Sequence, residues 1–272
     1  MNFSKKLKNK LISILDTKPN LGDTFESYEE AVKDGESYNN RKLAKVIVAK
    51  AKNYRDELKK SDNLDSSMWR TSFMLSQLEN KKIINILDFG GGAGTQYFLA
   101  RKLLSNDIRI KWNVVETNIM VEEAKSSKLE SSELKFFDNI DTAVQDLGLI
   151  NLIYANSSLT YTDKPLNYLD KLLKLDFELC YITRTPLNEK SRKNLVGIQS
   201  STLSANGQGA IPKELNIDDE IIKYPFTAIS KELLEEKIRE FARVKFFIRE
   251  ENNAYRTRKE NFRMFGYLIK KV

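Results

Sequence analysis

Three observations predict an α/β protein built on a doubly wound, mostly parallel sheet. From residue 83 onward, short apolar runs alternate with amphipathic stretches in a strand–helix rhythm. The first run, Ile83–Phe89, leads directly into Gly90-Gly91-Gly92-Ala93-Gly94, a side-chain-poor turn between a strand and a helix. Two more strand-like runs, at 244–249 and 262–269, follow the last predicted helix and close the chain.

The elements follow in order. Residues 1–79 read as an N-terminal helical extension and 80–272 as the α/β domain. Phe3, Leu7, Leu11 and Ile14 fall at helical spacing among Lys5, Lys6, Lys8 and Lys10, a short basic amphipathic helix over 3–15. It packs on its own domain or rests peripherally on an anionic membrane surface. Residues 26–60 are expected to be helical with a break near Asp34-Gly35, and 66–79 form a helix with Ser66 or Ser67 as N-cap. Strands are predicted at 83–89, 110–116, 134–137, 149–155 and 177–183. The helices between and after them fall near 95–104, 119–128, 141–147 and 165–174. Residues 187–223, rich in Ser, Asn, Gly and Gln, are expected to be a long connection, a lid or insertion. Ser230 caps a helix running to Phe241, and 252–260 is a polar link between the last two strands.

Composition narrows the chemistry. The 272 residues include 41% apolar and 31% charged residues and carry a net charge of +7. The lysines alternate with acids, as in Arg55-Asp56-Glu57-Leu58-Lys59-Lys60, which is the pattern of a solvated helix surface rather than a nucleic-acid stripe. No apolar run reaches membrane-spanning length and no signal-peptide core is evident, so a cytoplasmic protein is expected. Histidine is absent and Cys180 is the single cysteine. Imidazole catalysis and thiolate metal clusters are thereby excluded, no metal centre is expected, and any general base is Asp, Glu, Tyr, Lys or water.

The glycine run carries the ligand chemistry. Its spacing, Asp88-x-Gly90-x-Gly92-x-Gly94, brings the third glycine one residue earlier than a dinucleotide fingerprint, and Gly94-Thr95-Gln96 lacks the lysine of a phosphate loop. Gly91 completes the bare shelf. Asp88, two residues before the first glycine, suits a cationic amine such as that of S-adenosylmethionine (SAM). Glu116, ending the second strand, offers two oxygens to the 2′ and 3′ hydroxyls of a ribose. Asp138, after the third strand, either accepts from an adenine amino group or caps the next helix together with Asn139 or Asp141.

On these residues the chain resembles the class I SAM-dependent methyltransferase superfamily. It is also similar to a narrower bacterial group within it, often encoded among genes for cell-surface polysaccharides. The residues behind this second resemblance begin with Leu87-Asp88-Phe89-Gly90-Gly91-Gly92 and Trp112-Asn113-Val114-Val115-Glu116. They continue with Asn156-Ser157-Ser158-Leu159, Tyr161-x-x-Lys164-Pro165, Arg184-Thr185-Pro186 and Tyr224-Pro225. N-terminal matches are Phe25-x-Ser27-x-Glu29-Glu30-Ala31 and Gly35-x-x-Tyr38. The resemblance implies a Rossmann-like sheet with an antiparallel C-terminal strand, SAM as cofactor and S-adenosylhomocysteine (SAH) as product. It also implies an acceptor that is a small molecule or glycan precursor. The group usually has His where this chain has Gln96, and often Asp where it has Thr183.

The acceptor is expected beyond the carboxyl ends of the fourth and fifth strands. Asn156 joins the cofactor contacts there. Tyr161 and Asp163 are candidates for base or orienting group, although Tyr161 also reads as a packing aromatic and Asp163 as a helix cap. Arg184 reads as a clamp for an anionic acceptor or as a surface ion pair. Competing expectations are an assembly partner that keeps the fold without catalysis, and an RNA methyltransferase motivated only by charge. A short-chain dehydrogenase fits poorly, because Tyr-x-x-x-Lys occurs only at Tyr38, Tyr255 and Tyr267. Composition and motifs leave the oligomeric state open.

Overall fold

The computed structural model describes residues 24–34, 38–60, 68–78, 81–256 and 261–272. The helix predicted over 3–15, together with Ser66 and Ser67, lies outside them. Strand β1 (Thr24–Phe25) precedes helices α1 (Tyr28–Asp34), α2 (Arg41–Lys60) and α3 (Trp69–Ser76). Then comes the strand–helix alternation: β2 (Ile83–Phe89), α4 (Thr95–Leu103), β3 (Arg109–Val115), α5 (Asn118–Ser126), β4 (Leu134–Phe137), α6 (Ile140–Leu147), β5 (Ile150–Asn156), α7 (Pro165–Lys174) and β6 (Phe177–Asn188). The chain ends with β7 (Leu195–Thr202), β8 (Ile221–Ser230), α8 (Lys231–Phe241), β9 (Ala242–Arg256) and β10 (Asn261–Lys271).

The central sheet runs β4-β3-β2-β5-β6, all parallel, then β10 antiparallel to β6 and β9 antiparallel to β10. This is the doubly wound, Rossmann-like order with the antiparallel C-terminal strand that the resemblance implied. Buried residues on α2, α3, α4 and α5 cover one face in a single cluster with Ile86, Trp112, Phe136, Tyr154 and Tyr181. Leucines of α7 and α8, with Ile140, Ala143 and Leu147 of α6, cover the other face. Helix α7 illustrates the local cause. Pro165 occupies its first turn, where no N–H is needed. Leu169, Leu172 and Leu173 then fall at i, i+3 and i+4 and are fully buried, each contributing about 2 kcal/mol of apolar transfer.

Two expectations are corrected. Residues 187–223 are not a plain connection: β7 lies within them and pairs antiparallel with β8 over eight positions, Leu195↔Ala228 to Thr202↔Ile221. β1 adds to β7's other edge, and β8 meets the end of β6 at Leu187↔Ile229. The polar link predicted at 252–260 is also shorter, because β9 runs on to Arg256. There, pairing to β10 at Asn261↔Arg256 and Phe262↔Tyr255 overrides the low strand propensity of Asn252 and Asn253. The predicted cap at Ser230 is present, its Oγ accepting from the Leu233 N–H at 3.4 Å. No described helix is long and apolar enough to cross a membrane.

The segment after β7 is fastened to α2. Lys50 is buried, and its Nζ donates to the carbonyls of Ser204 at 2.7 Å and Asn206 at 2.6 Å. Burial pulls this ammonium below the ordinary lysine range, against the opposing charge of Asp219. Asp219 holds the same turn from below, accepting from Ser204 N at 2.9 Å and Ser204 Oγ at 2.6 Å. Replacing Lys50 with Ala leaves two carbonyls without their charged donor. It is expected to cost about 3 kcal/mol in urea unfolding and to speed proteolysis at 203–209. Unchanged stability and cleavage would remove this fastening role.

Candidate active site at the sheet switch point

Strand order reverses between β2 and β5, and the carboxyl ends of these strands open the crevice in which such sheets bind ligands. Asp88, near the end of β2, is fully buried. The indole N–H of Trp112 on β3 donates to its Oδ2 at 2.9 Å, while Oδ1 is buried with no hydrogen-bond partner. Burial pushes the Asp88 carboxyl up to about 7; the Trp112 bond opposes that shift and the nearby Glu116 charge adds to it.

The glycine loop lies directly over this carboxyl. A Cβ built on Gly91 would overlap the Asp88 carboxylate, so no other residue fits there. Asp88 therefore sits beneath the shelf rather than in front of it, with its Oδ1 buried and partnerless. Gly90, Gly92 and Gly94 have φ of 69°, 57° and 74°. A Cβ on Gly90 would also overlap that of Ser158, which ties the loop to the chain leaving β5.

Glu116 follows β3 and is half-buried at the loop's edge. Its Oε1 accepts from the Gly92 N–H at 3.0 Å and its Oε2 from the Thr117 N–H at 2.8 Å. Burial raises its pKa, and these two backbone donors work against the rise. One oxygen is thus held by the shelf and the other by the start of α5, and exchange of the Gly92 contact would free Oε1 for a ribose hydroxyl. Asn156 ends β5 with Oδ1 buried and unpartnered, and Ser158 Oγ is in the same state. Asp138 is exposed. The cap of α6 is Asn139, which accepts from Asp141 N at 2.7 Å and Thr142 N at 3.3 Å.

The three acceptor-side candidates separate. Tyr161 belongs to an aromatic group, stacked on Tyr38 at 5.4 Å with Tyr224 and Phe226 edge-on. Its hydroxyl donates to Gln199 Oε1 at 3.0 Å. Asp163 is exposed and caps nothing, since α7 has Lys164 at its N-cap with no side-chain bond. Arg184 is half-buried on β6 in the left-handed region, φ 52°. The adjacent strand end holds another such residue, Ser157 at φ 57°, whose N–H donates to Thr183 O at 2.9 Å. Non-glycine residues rarely adopt this conformation, and two lie side by side where β5 ends beside β6. Cys180 is buried in β6, its thiol pushed up to about 12 by burial, which leaves it a packing residue.

Sequence reasoning missed several contributors. Ile47 of α2 lies 3.8 Å from a Cβ built on Gly92 and 3.7 Å from one on Gly207, so α2 passes between the glycine loop and the Lys50-fastened segment. A buried ion pair, Arg70 Nε to Glu250 Oε2 at 2.5 Å, stands behind β6. Glu250 Oε1 accepts from Thr183 Oγ1 and from the Arg184 N–H, the latter at 3.0 Å. Gln96, just after the glycine loop, accepts from Thr71 Oγ1.

The residues fit SAM. Peptide without side chains runs from Gly90 to Gly92, with a carboxyl beneath it and a second carboxylate at its edge. Three buried oxygens there lack partners. Neither a known protein-family model nor a curated protein matches the chain. Some solved structures are similar to it over much of its length. A SAM-dependent methyltransferase from Clostridium acetobutylicum is 15% identical, with a TM-score of 0.46, covering 79% of this chain and 95% of that one. Magnesium protoporphyrin IX methyltransferase from Synechocystis, with bound SAH, is 8% identical at a TM-score of 0.46, covering 86% and 100%. The 4+2 cyclase SpnF is 12% identical at a TM-score of 0.46, covering 76% and 82%. At such identities the assignment rests on this chain's own residues.

The raised Asp88 pKa has a thermodynamic consequence. Its folded value lies above its unfolded value of 3.8, so the native state holds a proton that the unfolded chain releases. Stability from this group is full below pH ~4, falls as pH rises, and is gone above pH ~7. Urea unfolding across that range is expected to show a steeper loss for the wild type than for Asp88→Asn. Identical slopes would place the Asp88 pKa near its ordinary value.

Proposed function

We propose that this chain is a SAM-dependent methyltransferase acting on a small-molecule or glycan-precursor acceptor, in the surface-polysaccharide setting that the resemblance implied. The observation that carries this reading is the arrangement around one loop. Asp88 lies under Gly91, Glu116 is bonded to the Gly92 N–H, and Asn156 and Ser158 close the β5 side. Bound there, SAM would supply an electrophilic methyl group on a sulfonium. Glu116 would take the ribose hydroxyls, Asp88 would favour the amino cation, and Asp138 would meet the adenine edge. The protein's contribution is chiefly positioning and exclusion of water, which suits an in-line displacement that disperses charge.

No strong base is in evidence among the candidates. Tyr161 is held by Gln199, and Asp163 is exposed to solvent. Gln96 and Thr183 are engaged by Thr71 and Glu250. An acceptor that is already nucleophilic, such as a carboxylate or neutral amine, fits this environment best. The same two engaged side chains support a second reading, a SAM-binding assembly partner without turnover.

Calorimetry with SAM, SAH and a nicotinamide dinucleotide tests the donor. SAM and SAH are expected to bind, with NAD silent; Glu116→Ala should weaken SAH by about tenfold or more through loss of charged hydrogen bonds. Gly92→Val should abolish binding. Binding of NAD in preference to SAH would overturn the assignment. Labelled-methyl turnover across glycan precursors then separates enzyme from assembly partner.

A further inference from the structure

We propose that Arg184 selects the acceptor by taking an oxyanion group, a carboxylate or a phosphate monoester, and that Glu250 is the positioning residue that holds Arg184 for it. The proposal deepens the methyl-donor reading of the neighbouring loop and rests on it for the word acceptor. Its geometry stands apart from that reading.

Arg184 sits where the donor shelf and the far half of the sheet meet. Asn156 pairs with Thr183 across β5 and β6, so Arg184 lies beside Ser157, one residue from the Ser158 that packs on Gly90. A group bound between Arg184 and the glycine loop would lie near Ser158 Oγ, a partnerless hydroxyl that can donate to an oxyanion. The backbone of Arg184 is locked. Its N–H donates to Glu250 Oε1 at 3.0 Å, and the register between β6 and β10 shifts at this point, between Phe265 and Tyr267. A Cβ on Gly266 would crowd Glu250 Oε1 at 2.7 Å, so β10 leaves room for that carboxylate alone.

Glu250 is not available as a counter-ion to the Arg184 guanidinium. Its Oε2 is taken by Arg70 and its Oε1 by Thr183 and the Arg184 backbone, and its side chain is wholly buried. Among the described residues no carboxylate pairs with Arg184. Arg184, half-buried and held in the left-handed region beside Ser157, is left for an exogenous anion in bidentate contact.

The test uses the full chain saturated with SAH, titrated with acetate and separately with methyl phosphate by calorimetry. One of the two is expected to bind in the millimolar range, which identifies the oxyanion. Arg184→Gln should weaken that binding about tenfold, Arg184→Lys should recover part of it, and SAH affinity should hold within about twofold. Glu250→Gln keeps the acceptor atom for the Arg184 N–H but breaks the charge pair with Arg70. It should weaken the anion severalfold without moving SAH. Absence of anion binding by the wild type, or equal binding by Arg184→Gln, overturns the selection role. An unchanged anion affinity in Glu250→Gln overturns the positioning role. If SAH itself does not bind, the donor reading fails, and the anion titrations run without SAH still decide Arg184.

Discussion

A carboxyl buried at the end of a central strand constrains everything around it. Asp88 has no solvent, so it needs a donor from the protein and a neighbour that stays out of its space. Trp112 on the next strand supplies the indole N–H, and its own burial between Tyr97 and Tyr154 fixes that ring. Gly91 supplies the missing side chain. The turn that results exposes backbone rather than side chains toward the crevice, and Glu116 at the end of β3 holds one of its N–H groups. Site and fold are thus coupled through one residue that would be costly to bury for stability alone.

The other half of the crevice is built by the carboxyl end of β5 and the stretch of β6 beside it, and it is organised differently. Two left-handed residues, Ser157 and Arg184, turn their strands there, and a buried ion pair secures the second. Removing one member of such a pair leaves an uncompensated charge, so it works as a fixed fitting rather than as a source of net stability. Above the glycine loop, α2 brings Ile47 against the shelf and Lys50 against the turn after β7. The helical extension is therefore part of the crevice wall.

Much of this was legible in the residues themselves. Strands Ile83–Phe89 and Leu134–Phe137 and helix Pro165–Lys174 are bounded by unambiguous local signals: a glycine run, an acid–Asn turn and a proline at the first helical turn. That Asp88, the glycines and Glu116 lie together was legible for the same reason, since they form a spaced pattern within thirty residues. What was not legible depends on distant partners. β7 reads as part of a long polar connection until β8 pairs with it, and Asn252 and Asn253 read as part of a polar link until β10 lies alongside. Arg70 and Glu250 are separated by 180 positions, and Lys50 reaches carbonyls more than 150 residues away. No local pattern announces such contacts.

The account stands most directly on a crystal structure of the chain with SAH. It predicts the methionine moiety over Gly90–Gly92, the ribose hydroxyls on the Glu116 carboxylate, and the Gly92 N–H released from Glu116 Oε1. SAH seated elsewhere, or Glu116 still bonded to Gly92 with the ribose turned away, would contradict it.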